Sequence, residues 1–258
     1  RRAQRVVVGA VPRAAFFGAG EVGAAFLKHL IALRDEGACS LSGVHAAHPD
    51  DEAAQAVTAI ASRAGLAHGS PGAAFGDEPL DIVISAGNHH LFANEALARP
   101  RLGIVNFHGA PLPRFRGSAC PAFAILETER QFGVSFHLVV AALDAGPIIH
   151  EQAFDILPDD TAADVDAHCI TLGVAAFRAH ARDWLHGRFE ARPVVPAGPA
   201  YRRRDLEAHR KVDMAWAETR IWDHVRAFDW PGILQPAYTE QAGRKVYLSA
   251  HYRGRHIG

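Results

Sequence analysis

Disulfides have almost nothing to work with in this sequence. Three cysteines, Cys39, Cys120 and Cys169, are scattered through 258 residues, too few and too far apart for a disulfide framework or a zinc knuckle. Each reads as a small buried hydrophobe, and a reducing, cytoplasmic compartment is the expectation. An excess of charge of either sign is missing too. Lys and Arg number 27 against 28 Asp and Glu, a formal net charge of -1, so no global basic field would gather a polyanion such as tRNA. No apolar run reaches transmembrane length, so no membrane partner is expected, and there is no signal-peptide pattern. Internal repeats and low-complexity tracts are absent. Sixteen histidines raise the question of a metal, but none form a His-x-x-x-His pair or a tight Cys/His set. His89 and His90 are adjacent and would point apart if extended, so loop and surface histidines are the reading and no metal is expected. The chain opens on Arg1 rather than Met, so either a missing true N-terminus or a longer parent protein is the expectation.

What is present is an alternation of short apolar runs and amphipathic stretches. Arg5–Ala10 is an extra strand or a leader. Ala14–Phe17 is a compact strand running into Gly18-Ala19-Gly20-Glu21-Val22-Gly23. A helix over Glu21–Leu33 follows, with Val22, Phe26, Leu30 and Leu33 on one stripe. Leu41–His45 is the next strand, and Asp50–Ala64 a helix whose acidic start suits the positive end of the helix dipole. Then come Asp81–Ser85 (strand), Asn94–Leu97 (short helix), Ile104–His108 (strand) and Gly133–Ala141 (strand), with Ile148–Ile156 returning antiparallel to the last. Asp159-Asp160-Thr161 opens a long helix to Leu185, stopped by Gly187. This order predicts an α/β fold with a mainly parallel sheet. A boundary falls at Arg192–Tyr201, where Pro193, Pro196, Gly198 and Pro199 cluster. Beyond it a helix over Trp216–Phe228, with a Trp222/Val225/Phe228 packing stripe, precedes a hairpin of Ala237–Tyr238 and Lys245–Leu248 about Gly243. Residues 1–192 are thus expected as the main domain and 200–258 as a small α+β accessory module.

Chemistry concentrates at Asn106-Phe107-His108-Gly109 and at Leu143-Asp144-Ala145-Gly146. Residues two apart on a strand share a face, so Asn106 and His108 project together while Val105 and Phe107 face the core. They stand at the C-terminal end of a strand, where open α/β sheets build their sites. Asp144 comes just past the end of the 133–141 strand, with Gly146 lending backbone freedom. An amide and an imidazolium can donate to a developing oxyanion, one such donor being worth roughly 3–4 kcal/mol of barrier. A carboxylate beside His108 would favour the imidazolium and fix its tautomer, and can take a proton from an attacking amine. Acyl-type transfer to an amine is the chemistry these three groups suit.

Asn106-x-His108, Leu112-Pro113-x-x-Arg116-Gly117, Gly133-Val134-Ser135-x-His137 and Asp144-x-Gly146-x-Ile148 resemble the signature of the folate-dependent formyltransferases, in consistent order from about Ala14 to Gly187. The family includes methionyl-tRNA formyltransferase, glycinamide ribonucleotide transformylase and sugar-nucleotide N-formyltransferases. The resemblance implies a Rossmann-like domain binding 10-formyltetrahydrofolate, with Asn106, His108 and Asp144 as the catalytic triad. It places the pterin against Ser85–Phe92 and Val139–Asp144, with Asn88, His90, Phe92, Val139, Ala141 and Asp144 as cofactor-binding residues. Gly109, Pro111, Arg116 and His137 fall on the acceptor side. The sequence departs from the family at Gly87-Asn88-His89-His90, where aromatic or aliphatic residues are usual. It departs again after His108, where Gly-Ala-Pro replaces Gly-Ser-Leu.

Gly18-x-Gly20-x-x-Gly23 matches a dinucleotide fingerprint, but the second strand ends Gly43-Val44-His45 without the acidic residue that would hold a ribose. Tight packing between helix and strand accounts for the glycines instead. A binding module that has kept the fold without the chemistry is the reading from a different class, and the complete triad speaks against it. For the acceptor, the tRNA enzymes of the family carry a basic insertion after the second strand; here the segment is His48-Pro49-Asp50-Asp51-Glu52. The tail is also short beside their C-terminal barrel, while glycinamide ribonucleotide transformylases lack such a tail. Tyr201-Arg202-Arg203-Arg204 is a solvated basic loop or a nucleotide-phosphate contact. The tail resembles the module of formyltransferases that act on small amines, which implies an amino sugar nucleotide, an amino acid or a specialised metabolite as acceptor. For assembly the resemblance implies a homodimer through the C-terminal module, or fusion to further domains.

Overall fold

A computed structural model describes residues 11–46, 52–69, 79–88 and 91–250. The expected strand at Arg5–Ala10, the acidic stretch from His48 to Asp51 and the His89-His90 pair lie outside them. The elements in order are β1 (Arg13–Gly18), α1 (Gly20–Asp35), β2 (Ser40–His45), α2 (Glu52–Arg63), β3 (His68–Gly69), β4 (Ile82–Ala86), α3 (Asn94–Leu97) and β5 (Ile104–His108). Then follow α4 (Cys120–Leu126), β6 (Gln131–Leu138), β7 (Ile148–Asp155), α5 (Ala162–Leu185), a 3-10 helix (Arg203–His209), α6 (Glu218–Ala227), β8 (Tyr238–Gln241) and β9 (Arg244–Tyr247). A seven-stranded sheet runs β3-β2-β1-β4-β5-β6-β7 and a two-stranded one pairs β8 with β9. Strands β1 to β5 pair in parallel and β6 runs antiparallel to β5. The fold is the expected Rossmann-like α/β architecture with a small antiparallel sheet near the C-terminal end of the chain.

The chain divides into two compact units: one made of the residues up to His108 with Ser135–Glu151 and Ile170–Val195, the other of Gly109–Val134, Gln152–Cys169 and the residues from Pro196 on. In the first unit, the α1 stripe predicted from spacing is buried at Val22, Phe26, Leu30 and Leu33. Phe26 stacks on Phe177 with ring centroids 4.0 Å apart, Phe107 lies 5.3 Å from Phe136, and Phe136 lies 4.7 Å from Trp184. This aromatic layer covers the sheet face that Val105 and Phe107 were expected to supply. The other face carries an apolar cluster of Ala15, Phe17, Leu80, Val83 and Ile104, against which Phe92, Leu97 and Val139 pack. At the first turn a Cβ on Gly18 would stand 2.3 Å from the Ala86 carbonyl oxygen. The glycine-rich turn is therefore explained by the close approach of β1 to β4.

In the second unit, Tyr201 stacks on Phe115 at 5.2 Å and tilts against Phe123 at 4.6 Å, while Phe115 meets Phe132 edge-on at 5.3 Å. Arg226, only 6% exposed, spends its guanidinium on the Asp160 carbonyl at 2.7 Å and the Asp223 carboxylate at 2.9 Å, as a buried cation must. Thr161 and Asp164 cap the start of α5 reciprocally, each side chain accepting from the other's backbone N–H at 3.2 and 2.9 Å. Helix α6 is shorter than the expected Trp216–Phe228, because Asp213 takes the Ala215 N–H at 2.9 Å and the Trp216 N–H bonds the Asp213 carbonyl at 3.0 Å, a turn ahead of the helix. Val225 and Phe228 of its stripe are buried. The hairpin turns at Ala242 and Gly243, with φ of 48° and 73°, the paired positive values that suit a two-residue β-turn. Helix α4 had no counterpart in the sequence reading: Cys120, Ala122, Phe123, Ala124 and Ile125 are all buried, so it has no polar face and no period to detect.

Candidate active site

Four of the residues singled out from the sequence converge in the first unit. Register brings two of them into one row with Ser85: Phe17 pairs with Ser85, Ser85 with Asn106, and Asn106 with His137. Directly paired residues leave the same face of a sheet, so Ser85, Asn106 and His137 stand side by side across β4, β5 and β6. His108, two residues beyond Asn106, shares that face. The 133–141 strand stops at Leu138, three residues earlier than its apolar pattern indicated. The loop that follows folds back at Gly146, where a Cβ would lie 1.7 Å from the Leu138 carbonyl oxygen, and so returns Asp144 to the strand ends. Asp144 adopts a left-handed backbone with φ of 46°, a conformation that costs on the order of 1–3 kcal/mol for a residue with a side chain.

The distances define the chemistry. Asp144 Oδ2 lies 3.8 Å from His108 Nδ1 and Asp144 Oδ1 lies 3.7 Å from His137 Nε2. Asn106 Nδ2 is 3.1 Å from His137 Nε2, and His137 Nδ1 is 3.2 Å from the Leu138 carbonyl oxygen. Burial, with the neighbouring His108 as the next cause, pushes the His137 imidazole down to about 4 against the opposing pull of Asp144. His137 is therefore neutral near neutrality and carries one ring proton. That proton sits on Nδ1, because the carbonyl can only accept, so Nε2 accepts from the Asn106 amide. Neutral His137 leaves His108 Nδ1 as the neighbour that can donate to the Asp144 carboxylate. The Asn106 amide keeps a second N–H.

The residues expected around the triad are placed as follows. Phe92 lies edge-on to Phe17 at 5.1 Å, and with Val139 packs on the apolar cluster of this face. Asn88 lies two residues past the end of β4, Ala141 lies exposed in the loop after β6, and His90 is outside the described residues. Gly109, Pro111 and Arg116 belong to the second unit. There the Gly109 carbonyl accepts from Cys169 Sγ at 3.5 Å, and Arg116 donates to the Gly198 carbonyl at 2.8 Å. Ser85 was expected only as the start of the pterin stretch Ser85–Phe92 and not as a site residue of its own. It is 1% exposed, and its Oγ has no hydrogen-bond partner among the described residues. Its signal in the sequence was a lone hydroxyl closing an otherwise apolar strand, Ile82-Val83-Ile84-Ser85. No group of three or more His, Cys, Asp or Glu arranged to hold a metal occurs among the described residues.

A model of the family described as formyl transferase matches residues 37–179, more than half of the chain. The chain belongs to the formyl transferase family. Its match to the methionyl-tRNA formyltransferase of Idiomarina loihiensis is 31% identical over 160 residues, covering 62% of this chain and 51% of that protein. The chain spans about half the length of the curated relatives it matches. Among solved structures it is similar to a sugar N-formyltransferase from Shewanella sp FDAARGOS_354, with a TM-score of 0.75 at 18% identity, covering 92% of this chain and 96% of that one. It is also similar to the Helicobacter canadensis N-formyltransferase in complex with folinic acid and dTDP-3-aminofucose, with a TM-score of 0.72 at 17% identity, covering 92% of this chain and 86% of the other. At these identities the structural likeness establishes the fold. As a formyl transferase, the chain carries the imidazole–carboxylate–amide cluster on the sheet face where β5 pairs with β6.

Proposed function

We propose that this formyl transferase moves a formyl group from 10-formyltetrahydrofolate to the primary amine of a small molecule, an amino sugar nucleotide or an amino acid-like metabolite. The observation that carries the reading is the grouping of Asn106, His108 and Asp144 at one end of the sheet, with His137 bonded behind the amide. Residues 1–192 form the transfer domain in this reading, and 200–258 the accessory module.

The side chains present fit a folate. Phe92 and Val139, partly buried against the apolar cluster of this face, offer apolar area to a flat ring, and the orphaned Ser85 Oγ is a buried polar atom for which a partner is favourable. Bound there, 10-formyltetrahydrofolate would supply an electrophilic formyl carbon. The protein's own groups do the rest. Asn106 donates its uncommitted N–H to the oxygen on which negative charge grows, worth roughly 3–4 kcal/mol of barrier. His108 holds a proton against Asp144 and donates to the same oxygen. Asp144 accepts the proton that the amine sheds, directly or through one water, and would pass it to the folate nitrogen whose bond to the formyl carbon breaks as the new carbon–nitrogen bond forms. His137, neutral and tautomerically fixed, keeps the Asn106 amide turned toward the reacting group.

A small acceptor is favoured over tRNA by the near-neutral chain, with formal net charge -1, because phosphate contacts call for a basic footprint. The similar small-amine enzymes match over nearly their whole length, the tRNA enzymes over half of theirs. Formylation of Met-tRNA is the second reading, favoured by the names of the curated relatives. The deciding experiment is mass spectrometry of reactions containing 10-formyltetrahydrofolate and a panel of dTDP- and UDP-amino sugars, amino acids and initiator Met-tRNA. A folate-dependent gain of one formyl group on a small amine, lost in His108→Ala, supports the proposal. Transfer to tRNA alone replaces it with the second reading, and folate binding without transfer to any of them would point to a binding module.

A further inference from the structure

Formyl transfer as proposed leaves an aromatic and cationic hollow in the second unit without a role. Its volume is about 590 Å³, within the usual range for small-molecule sites. One wall is apolar and ring-bearing. Phe123 and Tyr201 stand with centroids 4.6 Å apart, and Leu126 extends their surface. Tyr201 is locked by donating its hydroxyl to Glu127 Oε1 at 2.6 Å, and burial with that bond raises the phenol to about 12. The ring is therefore a fixed, uncharged platform of the kind on which heterocycles stack.

Charge on the remaining wall is unevenly matched. The two lining carboxylates are engaged by the protein itself: Glu127 by the Tyr201 hydroxyl, with Arg114 3.9 Å away, and Asp223 by Arg226 at 2.9 Å. The lining cation is not. Arg220, in the first turn of α6, lies 4.0 Å over the Trp216 ring and has no carboxylate within ion-pair distance among the described residues. His209 faces the same space. His224 gives its Nδ1–H to the Arg220 carbonyl at 2.9 Å, and burial lowers its basicity, so its Nε2 is left as an acceptor. A flat apolar wall opposite a guanidinium without a carboxylate partner and an imidazole that can donate, with a neutral acceptor between, matches a ligand that has a planar base, a hydroxylated middle and an anionic end.

We propose that this cavity is a second binding site that takes a nucleoside phosphate. The base stacks on the Phe123–Tyr201 wall, a ribose hydroxyl donates to His224 Nε2, and the phosphate pairs with Arg220 and His209. This site stands independently of the formyl-transfer reading. The test is isothermal titration of the full chain with UMP and AMP, with neither folate nor amine present, beside uridine, adenosine and inorganic phosphate alone. The expected result is saturable binding of a nucleotide with Kd at or below about 1 mM, at least tenfold tighter than its nucleoside or phosphate alone. Arg220→Gln and His209→Gln, both exposed positions, should each weaken it several-fold without altering the melting temperature, while His108→Ala leaves it unchanged. No saturable binding, phosphate binding as well as either nucleotide, or nucleotide binding that His108→Ala weakens and Arg220→Gln spares would each overturn the proposal.

Discussion

Asp144 points a carboxylate at His108 from a backbone conformation that few residues other than glycine adopt, and the fold holds it there. The proposed roles predict that His108→Ala or Asp144→Ala lowers kcat about a hundredfold or more while folate affinity, measured by titration, changes little; near-normal turnover in either would remove that residue from the mechanism. His137 is a positioning residue in this scheme, not an acid or base. His137→Ala should lower kcat about tenfold with KM nearly constant, because the Asn106 amide loses the acceptor that aims it. Steady-state kinetics separates this from a binding role, which would move KM instead. Asn106 and His108 could be read from the sequence because side chains alternate on a strand. The bond between Asn106 and His137 could not, since it depends on β6 pairing antiparallel to β5 in one register among several.

Between β6 and β7 the chain has to turn within nine residues and still bring one carboxylate back to the strand ends. Gly146 permits this by lying against the Leu138 carbonyl where no Cβ fits. Gly146→Ala should push the loop off the strand and cut kcat roughly tenfold to a hundredfold, while circular dichroism reports the same helix and strand content; an unchanged kcat would show that the loop does not set the position of Asp144. Elements with a period were legible in the sequence: α1 and α5 by their stripes and caps, the hairpin by its turn. Helix α4 was not, because a helix buried on every side has no polar face to betray its period. The early end of β6 was missed for a related reason, since Val139-Val140-Ala141 is as apolar in a loop as in a strand.

At the scale of the whole molecule, buried and half-buried histidines set the expected response to acid. Burial is the first cause lowering His29, His137, His150, His186 and His224 below the ordinary imidazole value of 6.5. Nε2 of His29 and of His150 is buried with no partner among the described residues, so a proton there would have nowhere to donate. Below 6.5 the unfolded chain binds more protons than the folded one, and stability falls as pH drops toward the folded-state values, about 4 for His137. Above 6.5 these groups are neutral in both states and contribute no slope. The melting temperature should therefore be flat between about pH 7 and 8 and fall steadily from pH 6.5 to 4.5; a melting temperature that rises on acidification would contradict this assignment of neutral histidines.

The sequence by itself determined the α/β class, the order of the periodic elements, and the placing of Asn106 and His108 on one face, because these follow from hydrophobic period and strand alternation, which are local. It also carried the family signature. Tertiary structure decided that Ser85, Asn106 and His137 form a row, that His137 is too buried to hold a charge, and that Asp144 reaches His108 at all. Those outcomes rest on register, on desolvation and on the return of a loop to the strand it left. Each is set by contacts between residues distant in the chain, and no local pattern encodes them.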